Sequence, residues 1–170
     1  MPLKKVSVET ALDYKYPEWL VFVITADRAG KANLMPAGWA MVCSFSPRMM
    51  AVAIRAANYT AELIRDTGEF VLAFAAQRHA GLVDAAGTCS GRDTDKFEAL
   101  GALKAPASEV RAPLLADSPL QFECKLASAT PAGDHIIFAG HVVAAHMADP
   151  PERKVENFHR LYVPAEPARG

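Results

Sequence analysis

Between Asn33 and Thr60 the chain collects residue types better suited to gripping a ligand than to turning a corner. Three polar pieces, Asn33-Leu-Met-Pro-Ala-Gly-Trp39, Ser44-Phe-Ser-Pro47 and Arg55-Ala-Ala-Asn58-Tyr-Thr60, interrupt two apolar stretches and run into a helix start. Exposed amides, hydroxyls and an arginine suit a phosphate, while small and apolar residues suit a flat aromatic ring. A flavin nucleotide offers both.

Each piece has two readings. Asn58 or Thr60 can simply cap the following helix, or the free amides and positive dipole end there can hold a phosphate. Arg55 either adds a charged donor or lies solvated on a strand. In Met35-Pro36-Ala37-Gly38-Trp39, Pro36 removes a ladder donor and Gly38 admits a close neighbour, so backbone can meet a ring edge. The Trp39 ring itself reads as core or dimer-interface filler. Ser44 and Ser46 project to one side of a strand end, where both hydroxyls could serve a ligand, or into an ordinary turn. Ser90-Gly-Arg-Asp-Thr-Asp-Lys-Phe97 offers Arg92 and Lys96 to a phosphate, or is a solvated loop of Arg–Asp pairs. Cys43 and Cys89, beside these segments, read as small apolar filler.

Those pieces need a frame. Trp19–Thr25 is a continuous β-branched and aromatic run, as in a strand buried on both faces. Asp27–Lys31 turns, and Leu34–Cys43 is expected as its hairpin partner, interrupted at Pro36 and Gly38. Met49–Ile54 is a further strand. A helix is expected over Thr60–Thr67 with its stop at Gly68, followed by a strand over Glu69–Ala75. Gln77–Ala86 should be helical up to Gly87, and Asp95–Leu100 should form a short helix capped by Thr94 and closed by Gly101. Leu120, Phe122, Cys124 and Leu126 alternate with Gln121, Glu123 and Lys125, a half-buried antiparallel strand. Pro131–Asp134 turns into His135–Met147, with a bend at Gly140, and Phe158–Val163 adds a last strand or lid. The sum is mainly antiparallel β, one barrel.

Composition narrows the function. The 170 residues are 51% hydrophobic and 22% charged, with 18 basic and 19 acidic side chains and a net charge of −1. No basic block marks a nucleic-acid partner. Cys43, Cys89 and Cys124 lack any CxxC, which argues against a disulfide framework or structural zinc. His79, His135, His141, His146 and His159 share no metal-ligand spacing; His159 is either exposed in the tail or near a ligand entry. There is no GxGxxG or P-loop. The longest apolar run, Trp19–Ile24, is too short to cross a bilayer, and a cytoplasmic setting is expected.

Taken in order, Asn33…Met35-Pro36…Gly38-Trp39, Ser44-x-Ser46-Pro47, Asn58-Tyr59-Thr60, Gly68-Glu-Phe-Val71 and Ser90-to-Phe97 resemble the flavin reductase-like family of FMN-binding split-barrel proteins. The likeness is greatest to its flavoredoxin and ferric reductase-like branch, and covers roughly Tyr16 to Ala145. Arg48 departs from it, since many relatives carry a second proline there. The resemblance implies one domain over 1–170, with 1–15 and 150–170 as peripheral arms. The implied fold is a mainly β split barrel, Greek-key and antiparallel, of about six strands with a few short helices. It implies FMN held non-covalently near the interface of a homodimer, with NAD(P)H as donor and free flavin, ferric iron or a redox partner protein as acceptor. A carrier that does not turn over nicotinamide is the alternative. The cofactor contacts implied are Asn33, Met35, Pro36, Ala37, Gly38, Trp39, Ser44, Ser46, Arg55, Asn58, Tyr59, Thr60, Ser90, Gly91, Arg92, Lys96 and Phe97. No catalytic residue and no metal ligand is expected.

Overall fold

A computed structural model describes residues 2–152, 154–158 and 161–164, with 155–158 and 161–164 described through their backbone alone. In chain order it places α1 (Val8–Asp13), β1 (Glu18–Trp19), β2 (Val21–Ala26), β3 (Ala32–Ala37), β4 (Ala40–Phe45) and β5 (Arg48–Arg55). There follow α2 (Tyr59–Thr67), β6 (Glu69–Phe74), a 3₁₀ turn (Gln77–His79), α3 (Ala80–Thr88) and α4 (Lys96–Ala99). The chain continues with β7 (Lys104–Ala105), β8 (Leu114–Leu115), β9 (Leu120–Ala132), β10 (His135–Met147), β11 (Val155–Phe158) and β12 (Leu161–Pro164).

Seven antiparallel strands form the main sheet in the order β3-β2-β6-β9-β10-β5-β4. β2 lies inside it with every residue buried, as its unbroken apolar run requires. Its odd-numbered side chains, Val21 and Val23, enter one core with Val52, Ile64, Phe70 and Phe138. Phe22 and Ile24 enter a second core with Leu34, Phe97 and Leu115.

The reading of Leu34–Cys43 as one interrupted strand is corrected. It is two strands on opposite edges of the sheet, joined by Gly38 and Trp39 alone. Pro36 sits on an edge strand, where a missing N–H costs no ladder bond. Since two residues link both edges, the sheet must curl until they meet. The Ala53 amide, donating to the Trp39 carbonyl at 2.9 Å, helps to hold the closure. A side chain at Gly38 would crowd the Glu18 carboxylate at 3.0 Å. The expected bend at Gly140 is present as a register shift against β9, and a Cβ there would lie 2.8 Å from the Phe70 ring.

Helix ends differ in detail. Gly68 closes α2 in the left-handed region, at φ 70°. α3 runs through Gly87 to Thr88, so Gly87 is no stop. Asp95, and not Thr94, caps α4, accepting from the Phe97 and Glu98 amides at 3.0 and 3.2 Å. α1 buries none of its residues. The C-terminal arm is tied back: β11 pairs with β1, Glu152 with Arg78, and the Lys154 ammonium lies 4.5 Å from the Trp19 ring centre. His159 lies outside the described residues.

The alternation in β9 misleads on one face. Gln121 and Glu123 are buried as deeply as the apolar residues beside them. The segment 106–113 crosses that face and saturates the Glu123 carboxylate. Oε1 accepts from the Ser108 amide and hydroxyl, both at 2.8 Å, and Oε2 from the Glu109 and Val110 amides at 2.6 and 3.0 Å. His146 Nε2 lies 2.6 Å from Oε1. Burial alone pushes this carboxyl pKa up; the amide and side-chain donors outweigh it and bring it to about 2.

Candidate functional site

The site begins at the N-terminus of α2. Asn58 takes the capping position in extended conformation, but its side chain makes no cap bond and points its amide at Met35 Sδ, 3.1 Å away. By helix geometry the Tyr59 and Thr60 amides have no partner within α2. Thr60 Oγ1 accepts from Asn33 Nδ2 at 2.9 Å, which leaves its own hydroxyl hydrogen to donate. Asn33 Oδ1 is buried and unpartnered.

The Ser90–Phe97 segment faces this helix end. Ser90 Oγ accepts the Arg92 amide at 3.2 Å, and the Ser90 carbonyl accepts those of Asp93 and Thr94, which folds the loop tightly. Gly91 packs so closely that a Cβ would lie 2.1 Å from Asn33 Oδ1. Lys96 is buried, donating to the Ala86 carbonyl at 2.7 Å; burial pushes its pKa down, and two of its three N–H donors are left over. Arg92 lies over the Tyr59 ring at 4.8 Å, with Nη2 2.6 Å from Glu62 Oε2.

Together these residues line a hollow of about 370 Å³, with Asn33, Thr60, Gly91, Arg92 and Lys96 around it. Met35, Pro36 and Asn58 lead from it into a second hollow of about 310 Å³, bounded by Ala37, Gly38, Trp39, Arg55 and His135. The groove is polar and cationic at one end, and small, aromatic and charged groups bound the other. It has the shape a nucleotide with a flat ring requires. A family profile described as "Flavin reductase like domain" matches residues 15–165.

This chain belongs to the flavin reductase-like family. An uncharacterized protein of Archaeoglobus fulgidus is 32% identical over 136 residues, covering 80% of this chain and 76% of the relative. The structure of flavoredoxin from Desulfovibrio vulgaris matches with a TM-score of 0.87 at 27% identity, over 99% of this chain and 96% of that one. An FMN-binding protein from Thermus thermophilus, solved with p-hydroxybenzaldehyde, matches with a TM-score of 0.83 at 23% identity, over 96% and 95%. The split barrel expected from the sequence is thus the fold of this flavin reductase-like chain.

Most of the residues marked in the sequence of this family member gather in the groove. Asn33, Met35, Pro36, Asn58, Tyr59, Thr60, Ser90, Gly91, Arg92 and Lys96 line its cationic end, and Ala37, Gly38, Trp39 and Arg55 its other end. Three of the marked residues lie outside the groove of the single chain. Phe97 is 1% exposed and packs in the core, because α4 turns its ring inward. Ser44 lies on the edge strand β4 and Ser46 in the following turn, and neither lines the groove. Among the described residues no cluster could hold a metal ion, and no helix is long and apolar enough to cross a membrane.

His135 escaped the sequence reading. Its ring lies 4.9 Å from that of Trp39, and its Nδ1 2.7 Å from Asp134 Oδ1. The His135 hydrogen bond, with Arg55 3.8 Å away, holds the Asp134 carboxyl below its usual range. Only the β5–β10 register, which sets His135 opposite Arg55, could have flagged it.

Proposed function

We propose that this protein binds FMN in the groove and passes electrons from NAD(P)H to an acceptor such as free flavin or ferric iron. One observation carries the reading: the uncapped start of α2, the Thr60 hydroxyl with its hydrogen left to donate, Arg92 and Lys96 line one hollow. Membership of the flavin reductase-like family and the likeness to a flavoredoxin support it. Bound there, FMN would supply hydride acceptance and onward electron transfer. The chain's own residues bind and orient. The Tyr59 and Thr60 amides, the Thr60 hydroxyl and the two cations hold the phosphate. Met35 to Trp39 present backbone and small side chains to the ring, and Trp39 with His135 walls off one end. No side chain need move a proton.

A titration of the purified protein with FMN, followed by quenching of flavin fluorescence, should give a saturating one-site curve. Stopped-flow mixing with NADH and with NADPH should then bleach the flavin absorbance. Protein that ignores FMN would defeat the whole reading. Bleaching by neither coenzyme would leave an FMN-binding electron carrier, the reading that the flavoredoxin likeness favours.

The reading includes a homodimer. Met41, Val42 and Phe45 of β4 and Ile137 of β10 are exposed, and an apolar hollow of about 420 Å³ opens beside Trp39. Exposed apolar side chains beside an apolar hollow are what a subunit interface would cover. Sedimentation equilibrium should return twice the chain mass of 18.3 kDa, and Phe45→Glu should return the single mass; a monomeric native protein would end this part of the reading.

A further inference from the structure

We infer that Glu62 is a specificity-determining residue of the groove: by holding Arg92 it sets how strongly a phosphorylated flavin is preferred over riboflavin. The inference rests on the FMN reading above and adds a residue that the groove itself does not contain.

Two cations line the phosphate end, and both are engaged. Lys96 is buried on α4 and fixed to the Ala86 carbonyl. Arg92 differs in kind. It is half exposed, on a loop, and its partner Glu62 is half exposed on α2. The pair has two contacts, Nη2 to Oε2 at 2.6 Å and Nη1 to Oε1 at 3.4 Å. The guanidinium carbon lies 4.8 Å from the Tyr59 ring centre, and the Tyr59 amide is one of the donors with no partner within α2. Arg92 therefore hovers at the mouth of the hollow, turned toward a carboxylate outside it.

Glu62 does not depend on Arg92 for its place. It lies in the first turn of α2, where the helix dipole favours a negative charge. A phosphomonoester entering against the Tyr59 and Thr60 amides meets that carboxylate within a Debye length and competes with it for one guanidinium. The Arg92 side chain can stay over Tyr59 and exchange carboxylate for phosphate by rotation. Every phosphate captured thus displaces an existing ion pair. The pair is exposed, so the competition is modest in size, but it acts on the phosphate alone. Riboflavin has no phosphate and does not register it. The opposed charges of Glu62 and Arg92 thereby tune discrimination without touching the ring.

The test is a set of fluorescence-quenching titrations with FMN and with riboflavin on native protein, Glu62→Gln, Arg92→Gln and the double variant, each checked for an unchanged melting curve. Glu62→Gln should tighten FMN by about fivefold and leave riboflavin unchanged. Arg92→Gln should weaken FMN alone, and adding Glu62→Gln to it should recover much less than fivefold, because the shared partner is gone. FMN affinity unchanged in Glu62→Gln overturns the inference, as does a shift of equal size for riboflavin. Native protein that binds FMN in such a series leaves the cofactor reading standing while Glu62 is dismissed; native protein that binds neither flavin removes both.

Discussion

Glu123→Gln should lower the melting temperature by about 10 °C and flatten the acid limb of the stability curve. The carboxylate lies at 0% exposure and accepts three amides and one hydroxyl, with His146 alongside. A carboxamide of the same shape must set its NH₂ against one of those donors and leave it unpaired. Breaking such a buried charged network costs about 3–5 kcal/mol. The pH dependence has a fixed sign. The native pKa, about 2, lies below the ordinary 4.5, so ionised Glu123 stabilises the fold above pH 4.5. That contribution, about 3 kcal/mol by the size of the shift, fades as pH falls from near 5 toward 2. Urea melts at a series of pH values would measure both effects. A variant that melts within two degrees of native protein, with the same acid limb, would show that the buried clasp contributes nothing.

Gly91→Ala should cost at least about tenfold in FMN affinity while the protein stays folded. The new methyl would lie 2.1 Å from Asn33 Oδ1 and 2.8 Å from its Cγ. Asn33 cannot step aside freely, because Nδ2 is bonded to Thr60 Oγ1 and lies 3.5 Å from Thr25 Oγ1. Relief of the clash moves the carboxamide off Thr60 and displaces the hydroxyl offered to the ligand. Gly81→Ala is the control, since a Cβ at Gly81 meets nothing within 4 Å. A folded Gly91→Ala protein that binds FMN as the control does would end the argument that this close approach shapes the groove.

The sequence showed those parts whose signal is local. β2 announced itself by an unbroken apolar run, α2 by its left-handed Gly68, and the bend in β10 by Gly140. The groove segments were legible because ligand-binding backbone needs small and polar residues where a core would not use them. What escaped depended on partners distant in the chain. Glu123 reads as a solvent-facing member of an alternating strand until the amides of 108–110 are laid across it. Phe97 lies in the motif that holds Arg92 and Lys96, yet helix geometry sends its ring the other way, into the core. His135 acquires meaning only through the register that sets it beside Arg55 and Trp39. The interruption of Leu34–Cys43 at Pro36 and Gly38 was legible, but nothing in its residues tells that each half will find a different edge of the sheet.

The two-residue crossing at Gly38 and Trp39 bears on how the molecule assembles. Pairing β5 with β10 across the roughly 80 residues between Arg55 and His135 would, in an open chain, carry the entropy of a long loop. Once β3 is zipped onto β2, the tether delivers β4 and β5 to the opposite margin. The last seam of the cylinder then closes over a span of a few residues, and the entropic toll falls accordingly.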